Sequence, residues 1–130
     1  AKGGANYKKE DWHKELKNIS GGFDAIVDSA CGDEFYKLID LAKPGGRIAF
    51  YGATLGEFKS GVPAKIFWKQ LTICGSTMGT DEEFAAMVNL INTHKIVPVV
   101  DAVYPLKDAQ TAIEKMDNST QFGKIVLDCE

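Results

Sequence analysis

Short, continuously apolar runs alternate with longer amphipathic stretches from residue 5 to residue 95, and this alternation limits the folds open to the chain. Residues 23–28 hold the unbroken triplet Ala25-Ile26-Val27, residues 47–51 form a second run closed by Gly52, and residues 71–74 form a third. Runs of this kind suit strands buried on both faces, as in a parallel sheet. The stretches between them have helical period. Over residues 10–19, Trp12, Leu16 and Ile19 fall at i, i+4 and i+7, with Glu10 and Asp11 in the first turn. Gly21-Gly22 stops that helix, since glycine tolerates the left-handed conformation that closes a C-terminus. Over residues 33–43, Phe35, Leu38, Ile39 and Ala42 share a face, and Pro44-Gly45-Gly46 ends it. Pro63 opens a helix reaching residue 70, where its missing N–H costs nothing. Thr80 and Glu83 have capping-box spacing ahead of Phe84, Met87, Val88 and Ile91. His94 and Lys95 complement that helix's negative end. Residues 5–8 read as the end of a short strand and residues 57–61 as a loop.

The last third departs from this rhythm. Residues 97–100 and 103–104 are short and extended, and Pro98 marks an edge or a strand entry. Ala109, Ala112, Ile113 and Met116 line one more helix, and residues 124–127 form a final strand. The expected fold is α/β: a doubly wound parallel sheet with helices on both faces. A C-terminal strand–helix–strand segment returns to a different sheet.

Apolar residues make up 45% of the 130 and charged residues 25%, the balance of a soluble globular chain. A net charge of −3 with no Lys/Arg cluster argues against a nucleic-acid partner. No apolar run approaches the ~20 residues of a membrane span. The start, Ala1-Lys2-Gly3-Gly4, lacks both an initiator Met and the apolar core of a signal peptide. Cys31, Cys74 and Cys129 are odd in number and far apart, with no Cys-x-x-Cys, which fits a reducing, cytoplasmic setting.

Ligands of open α/β sheets bind beyond the carboxyl ends of the strands. That rule selects Asp28-Ser29-Ala30-Cys31-Gly32, Tyr51-Gly52-Ala53-Thr54 and Gly75-Ser76-Thr77-Met78-Gly79, each with a glycine and small residues after a strand. The plainer reading of any one of them is a strand-to-helix turn. No Gly-x-Gly-x-x-Gly occurs, so a pyrophosphate cradle is missing. No residue stands out as catalytic. His13 and His94 suit solvated helix positions, and Ser29 and Ser76 have no histidine at a readable partner position. Asp24 and Asp28 suit turns and caps. Cys31 lies near a helix start, which favours a thiolate, but a small buried residue explains it as well.

The runs Gly3-Gly4-Ala5-Asn6-Tyr7-Lys8, Glu10-Asp11-Trp12 and Gly22-Phe23-Asp24-Ala25-Ile26-Val27-Asp28-Ser29 resemble medium-chain dehydrogenases/reductases, most closely the zinc-type alcohol dehydrogenase-like and quinone oxidoreductase-like proteins. The likeness continues through Leu41-Ala42-Lys43-Pro44-Gly45-Gly46-Arg47-Ile48, Tyr51-Gly52-Ala53 and Leu71-Thr72-Ile73-Cys74-Gly75-Ser76. It ends in Tyr104-Pro105-Leu106-Lys107-Asp108-Ala109 and Gly123-Lys124-Ile125-Val126-Leu127. It implies a partial Rossmann-like domain over residues 1–96, beginning at the third strand of the order 3-2-1-4-5-6. Residues 97–130 would belong to the catalytic domain of a longer parent.

By position, the resemblance puts Tyr7 near the adenosine ribose or its 2′-phosphate, and Ser29, Ala30 and Cys31 along the crevice. Tyr51, Gly52, Ala53, Ser76, Thr77 and Met78 would approach the nicotinamide side, with Lys124 also facing the cofactor. The implied cofactor is NADP or NAD, Tyr7-Lys8 leaning to NADP. No metal is expected in this chain, because the family's zinc ligands lie elsewhere. The parent would transfer hydride to or from an alcohol, carbonyl or quinone, and this portion alone would be inactive. A sheet lacking its first two strands exposes edges, so a homo-oligomer or a rearranged sheet is expected. Two alternatives remain at this point: a fragment of an S-adenosylmethionine-dependent methyltransferase, suggested by residues 23–27 and 41–47, and a non-catalytic self-association module.

Overall fold

A computed structural model describes residues 1–58 and 62–130; the end of the expected loop, residues 59–61, lies outside them. The chain divides into two compact units, Ala1–Met78 and Gly79–Glu130. The first contains α1 (Trp12–Ser20), β1 (Phe23–Asp28), α2 (Phe35–Leu41), β2 (Ala42–Phe50), α3 (Pro63–Trp68) and β3 (Thr72–Gly75). The second contains α4 (Asp81–His94), β4 (Val100–Pro105), α5 (Ala109–Asp117) and β5 (Lys124–Asp128).

In the first unit the strands form one parallel sheet in the order β1-β2-β3. Register sets its two faces. Ile26, Ile48 and Ile73 lie side by side across the three strands, and Ala25, Arg47 and Thr72 form the neighbouring row. The isoleucine row meets α2, whose Phe35 and Ile39 are buried with Ile48 and Ala42. Phe35 also stacks on Phe58 and meets Phe50 edge-on, with ring centroids 4.6 and 5.9 Å apart. The other face is open within this unit: Ala25 is exposed and Val27 is 73% exposed. The run at residues 25–27 is therefore not buried on both faces here, because α2 covers only one of them.

Several sequence expectations shift. Residues 5–8 do not form a strand. Among the described residues β1 pairs only with β2, so this segment has no ladder to join and satisfies itself locally. Lys9 N–H donates to the Asn6 carbonyl at 3.0 Å and Lys8 N–H to Asn6 Oδ1 at 3.0 Å, an Asx turn. The sheet thus holds three strands, those numbered four to six by the resemblance. β2 begins at Ala42, five residues early. Its register with β1 jumps from Phe23↔Ala42 to Ala25↔Arg47, so residues 43–46 bulge. Gly46 must be glycine there, since a Cβ would lie 2.8 Å from the Lys43 carbonyl oxygen.

Local punctuation holds. Gly21 closes α1 at φ 71° and donates to Lys17 O, and Pro63 opens α3. The carbonyl end of α2 is closed from a distance. Lys69 Nζ donates to the carbonyls of Ile39 (2.8 Å), Asp40 (3.0 Å) and Ala42 (2.8 Å), orphan acceptors of a helix terminus. Burial pulls the Lys69 ammonium below its ordinary pKa.

In the second unit β4 and β5 pair in parallel across α5, a strand–helix–strand segment with its own two-stranded sheet. Of the two extended runs expected at 97–100 and 103–104, Val100, Val103 and Tyr104 fall within the single strand β4, and residues 97–99, Pro98 among them, lie outside it. Asp101 on β4 accepts from Phe122 N–H at 2.9 Å, in the connection before β5, and pairs with Lys115 on α5, which ties β4 to the helix and to that connection. α4 carries the full capping box: Glu83 N–H donates to Thr80 Oγ1 at 3.2 Å and Thr80 N–H to Glu83 Oε2 at 2.8 Å. No helix among the described residues is long and apolar enough to cross a membrane.

Candidate functional site

The first two of the segments that follow the strands meet at the carboxyl end of the sheet, stitched by backbone hydrogen bonds. Tyr51 N–H donates to Asp28 O (3.0 Å), Leu55 N–H to Ala30 O (2.9 Å) and Gly32 N–H to Gly56 O (3.0 Å). On the other side Ser76 N–H donates to Phe50 O (2.9 Å). A Cβ on Gly52 would lie 2.5 Å from the Ser29 carbonyl oxygen. Glycine at position 52 thus lets the first two segments approach this closely.

A cavity of about 470 Å³ opens at the carboxyl end of β1. The sequence-selected residues Tyr7, Ser29, Ala30 and Cys31 line it together. Thr54, the last residue of the second strand-end segment, lines it too, and Trp12, Glu34 and Leu55 line it without having been selected from the sequence. Leu55 follows directly on the selected Thr54, so extending the strand-end rule by one residue finds it. Trp12 and Glu34 meet across 22 residues of chain, and no local pattern announces that. Tyr51, Gly52 and Ala53 sit in the stitched second segment outside the lining, and Ser76, Thr77 and Met78 are exposed beyond β3. Lys124 belongs to the second unit, where it starts β5 opposite Val100 and its N–H donates to Val99 O at 2.8 Å.

Asp28 and Cys31 form the floor. Cys31 N–H donates to Asp28 Oδ2 at 2.8 Å, so Asp28 caps the turn, the role its type suits. Cys31 is 8% exposed, and burial pushes its thiol up, with the Asp28 carboxylate adding to the effect. That shift runs against a helix-activated thiolate, and Cys31 serves as a small buried residue of the floor. One side wall is a linked set. Trp12 Nε1 donates to Glu34 Oε2 at 3.0 Å, Lys37 Nζ donates to Glu34 Oε1, and Lys37 Nζ also donates to the Glu10 carbonyl at 3.0 Å. The Lys37 ammonium first, then the Trp12 indole, holds the Glu34 carboxyl below its usual range. His13 turns its ring edge-on to Trp12 at 5.9 Å, and His94 is exposed in the last turn of α4. No group of three His, Cys, Asp or Glu among the described residues is arranged to hold a metal ion.

Residues 1–127 match the sequence family described as zinc-binding dehydrogenase. The chain belongs to the zinc-binding dehydrogenase family. The zinc-type alcohol dehydrogenase-like protein YogA of Leptosphaeria maculans is 34% identical over 98% of this chain, which covers 38% of that protein. The synaptic vesicle membrane protein VAT-1 homolog-like of Mus musculus is 28% identical, over 95% of this chain and 36% of its own. The crystal structure of an NAD-dependent alcohol dehydrogenase superposes with a TM-score of 0.83 at 32% identity, over 97% of this chain and 37% of that one. The chain therefore spans well under half the length of the relatives it matches. The family match runs through residues 104–127, the segment without a methyltransferase counterpart, and removes that alternative.

Proposed function

We propose that this chain is the cofactor-domain portion of a nicotinamide-dependent oxidoreductase, one that moves hydride to or from an alcohol, carbonyl or quinone. The observation that carries the reading is the cavity at the carboxyl end of β1, where Tyr7, Ser29, Ala30 and Cys31 converge in a chain of the zinc-binding dehydrogenase family. Its chemistry fits part of such a cofactor. The aromatic rings of Tyr7 and Trp12 and the apolar Val27, Leu38 and Leu55 suit a flat base. Asp28, Ser29 and Thr54 suit ribose hydroxyls. Neither Lys nor Arg lines it, so the nucleoside ends fit and the diphosphate does not. The nicotinamide, when bound, supplies the hydride chemistry. This chain's residues wall and orient it, and the chain alone is inactive.

Tyr51, Gly52, Ala53, Ser76, Thr77, Met78 and Lys124 remain proposed contacts of the parent's nicotinamide side. Residues 1–96 are proposed to belong to its cofactor domain and 97–130 to its catalytic domain. The name of the similar NAD-dependent enzyme supports NAD, and the pair Tyr7-Lys8 favours NADP, so both cofactors enter the test. Equilibrium dialysis of the 130-residue chain against NADH and NADPH is expected to show saturable uptake of at least one, without alcohol or quinone turnover. No uptake of either overturns the cofactor reading, and turnover overturns the inactivity.

Self-association is the second reading, favoured by the sheet edges. β1 and β3 each pair on one side only among the described residues. We infer that the chain forms homo-oligomers through such an edge.

A further inference from the structure

Lys37 is the one buried charged side chain among the described residues, 3% exposed. Nothing in the cofactor reading uses it. An ammonium withdrawn from water is costly unless paired and hydrogen-bonded, and this one is spent on a single stretch of chain. It donates to the carbonyl of Glu10 at 3.0 Å, where the turns after Tyr7 lead into α1. It also pairs with Glu34, whose other oxygen accepts from the Trp12 indole at 3.0 Å. The same ammonium lies 6.0 Å from the centre of the Trp12 ring, within cation–π reach. Tyr7 and Trp12, on either side of Glu10, are both walls of the cavity, and Glu34 is a third. The segment carrying Tyr7 belongs to no strand, so the sheet does not hold it.

We propose that Lys37 is a positioning residue that clamps the Tyr7–Trp12 wall in place and through it sets the cavity's affinity for the nucleotide. The proposal rests on the cofactor reading for its second half only. From α2, Lys37 reaches the backbone at Glu10 directly and the Trp12 side chain through Glu34. Two bonds thus fix the segment at neighbouring points, removing both its translation and the swing of the indole. Loss of the ammonium frees the wall while α2 keeps its apolar packing through Phe35 and Ile39.

The test uses the whole chain in a Trp68→Phe background, leaving Trp12 as its one tryptophan. Trp68 is 80% exposed. Lys37→Met is expected to raise acrylamide quenching of Trp12 without ligand and to weaken NADH or NADPH uptake by about tenfold, ~1.4 kcal/mol. Lys37→Arg, which retains charge and donors, is expected to restore both in large part. Should Lys37→Met lose its far-UV circular dichroism, Glu34→Gln reads the same clamp from its half-exposed side and is expected to raise Trp12 quenching. Unchanged quenching in a folded variant overturns the clamp. Raised quenching with unchanged uptake overturns the positioning role and leaves the cofactor reading intact. No uptake by the unsubstituted chain overturns the cofactor reading and with it the affinity role. The ligand-free quenching then still decides whether the clamp exists.

Discussion

Gly52 stands where a side chain has no room, and its neighbourhood shows how single atoms shape the site. A methyl group there would meet the Ser29 carbonyl at 2.5 Å, and backbone on both sides leaves little to yield. Gly52→Ala is therefore expected to cost about 1–3 kcal/mol, read as a lower urea midpoint, and to separate the first two strand-end segments. Cys31 offers a chemical readout of the same floor. Only a thiolate attacks a disulfide reagent, and the Cys31 thiol is held up by burial and by Asp28. Cys74 and Cys129 are exposed. An aromatic disulfide reagent at mildly alkaline pH should titrate two thiols quickly and a third slowly; three equal rates would contradict the buried floor. Glu34 gives a pH signature. Its folded pKa is depressed by Lys37 and Trp12, so its contribution is complete above the ordinary carboxylate range. That contribution is lost as pH falls through the folded value. Glu34→Gln should flatten the acid limb of stability against pH, lowering its neutral end most and its strongly acidic end least, measured by urea unfolding from neutral to strongly acidic buffer.

At the scale of elements, what the sequence made legible was local, and what it hid depended on partners. The stop of α1 at Gly21, the start of α3 at Pro63 and the box of Thr80 and Glu83 each use groups within a few residues, so spacing alone revealed them. The segment 5–8 has strand composition but no neighbour, and a strand exists only as half of a ladder. The early start of β2 depends on a bulge around Gly45 and Gly46, whose bond from Gly45 N–H to Lys69 O (2.7 Å) spans distant residues. The cavity was half legible in the same sense. Ser29, Ala30 and Cys31 followed from the strand-end rule, whereas Trp12 and Glu34 needed the packing of α1 against α2. The long-range cap on α2 belongs to this hidden class. Lys69→Met removes three charge-assisted bonds to carbonyls, and a loss of about 1.5–3 kcal/mol is expected, with α2 amides exchanging faster by hydrogen exchange. Normal α2 protection in that variant would show that solvent replaces the cap at no cost.

For the molecule as a whole, the two open edges of the first sheet are not equivalent. β1 carries Asp24 and Asp28, and charges on an edge discourage pairing. β3, Thr72-Ile73-Cys74-Gly75, carries no charge and no proline. Two copies meeting at β1 would bring carboxylates together, whereas two copies meeting at β3 would complete each other's unpaired N–H and C=O groups without electrostatic penalty. The second unit adds to the tendency: Phe84, Val97 and Phe122 are 63%, 84% and 81% exposed. Burying such side chains against a second copy would add to the driving force for association. Light scattering coupled to size-exclusion chromatography is expected to return a mass above that of one chain. Thr72→Lys, which places a charge on the β3 edge while leaving the Ile26–Ile48–Ile73 row untouched, is expected to lower that mass. An unchanged oligomer in Thr72→Lys would move the contact away from β3, and a monomer in the unsubstituted chain would remove the edge argument altogether.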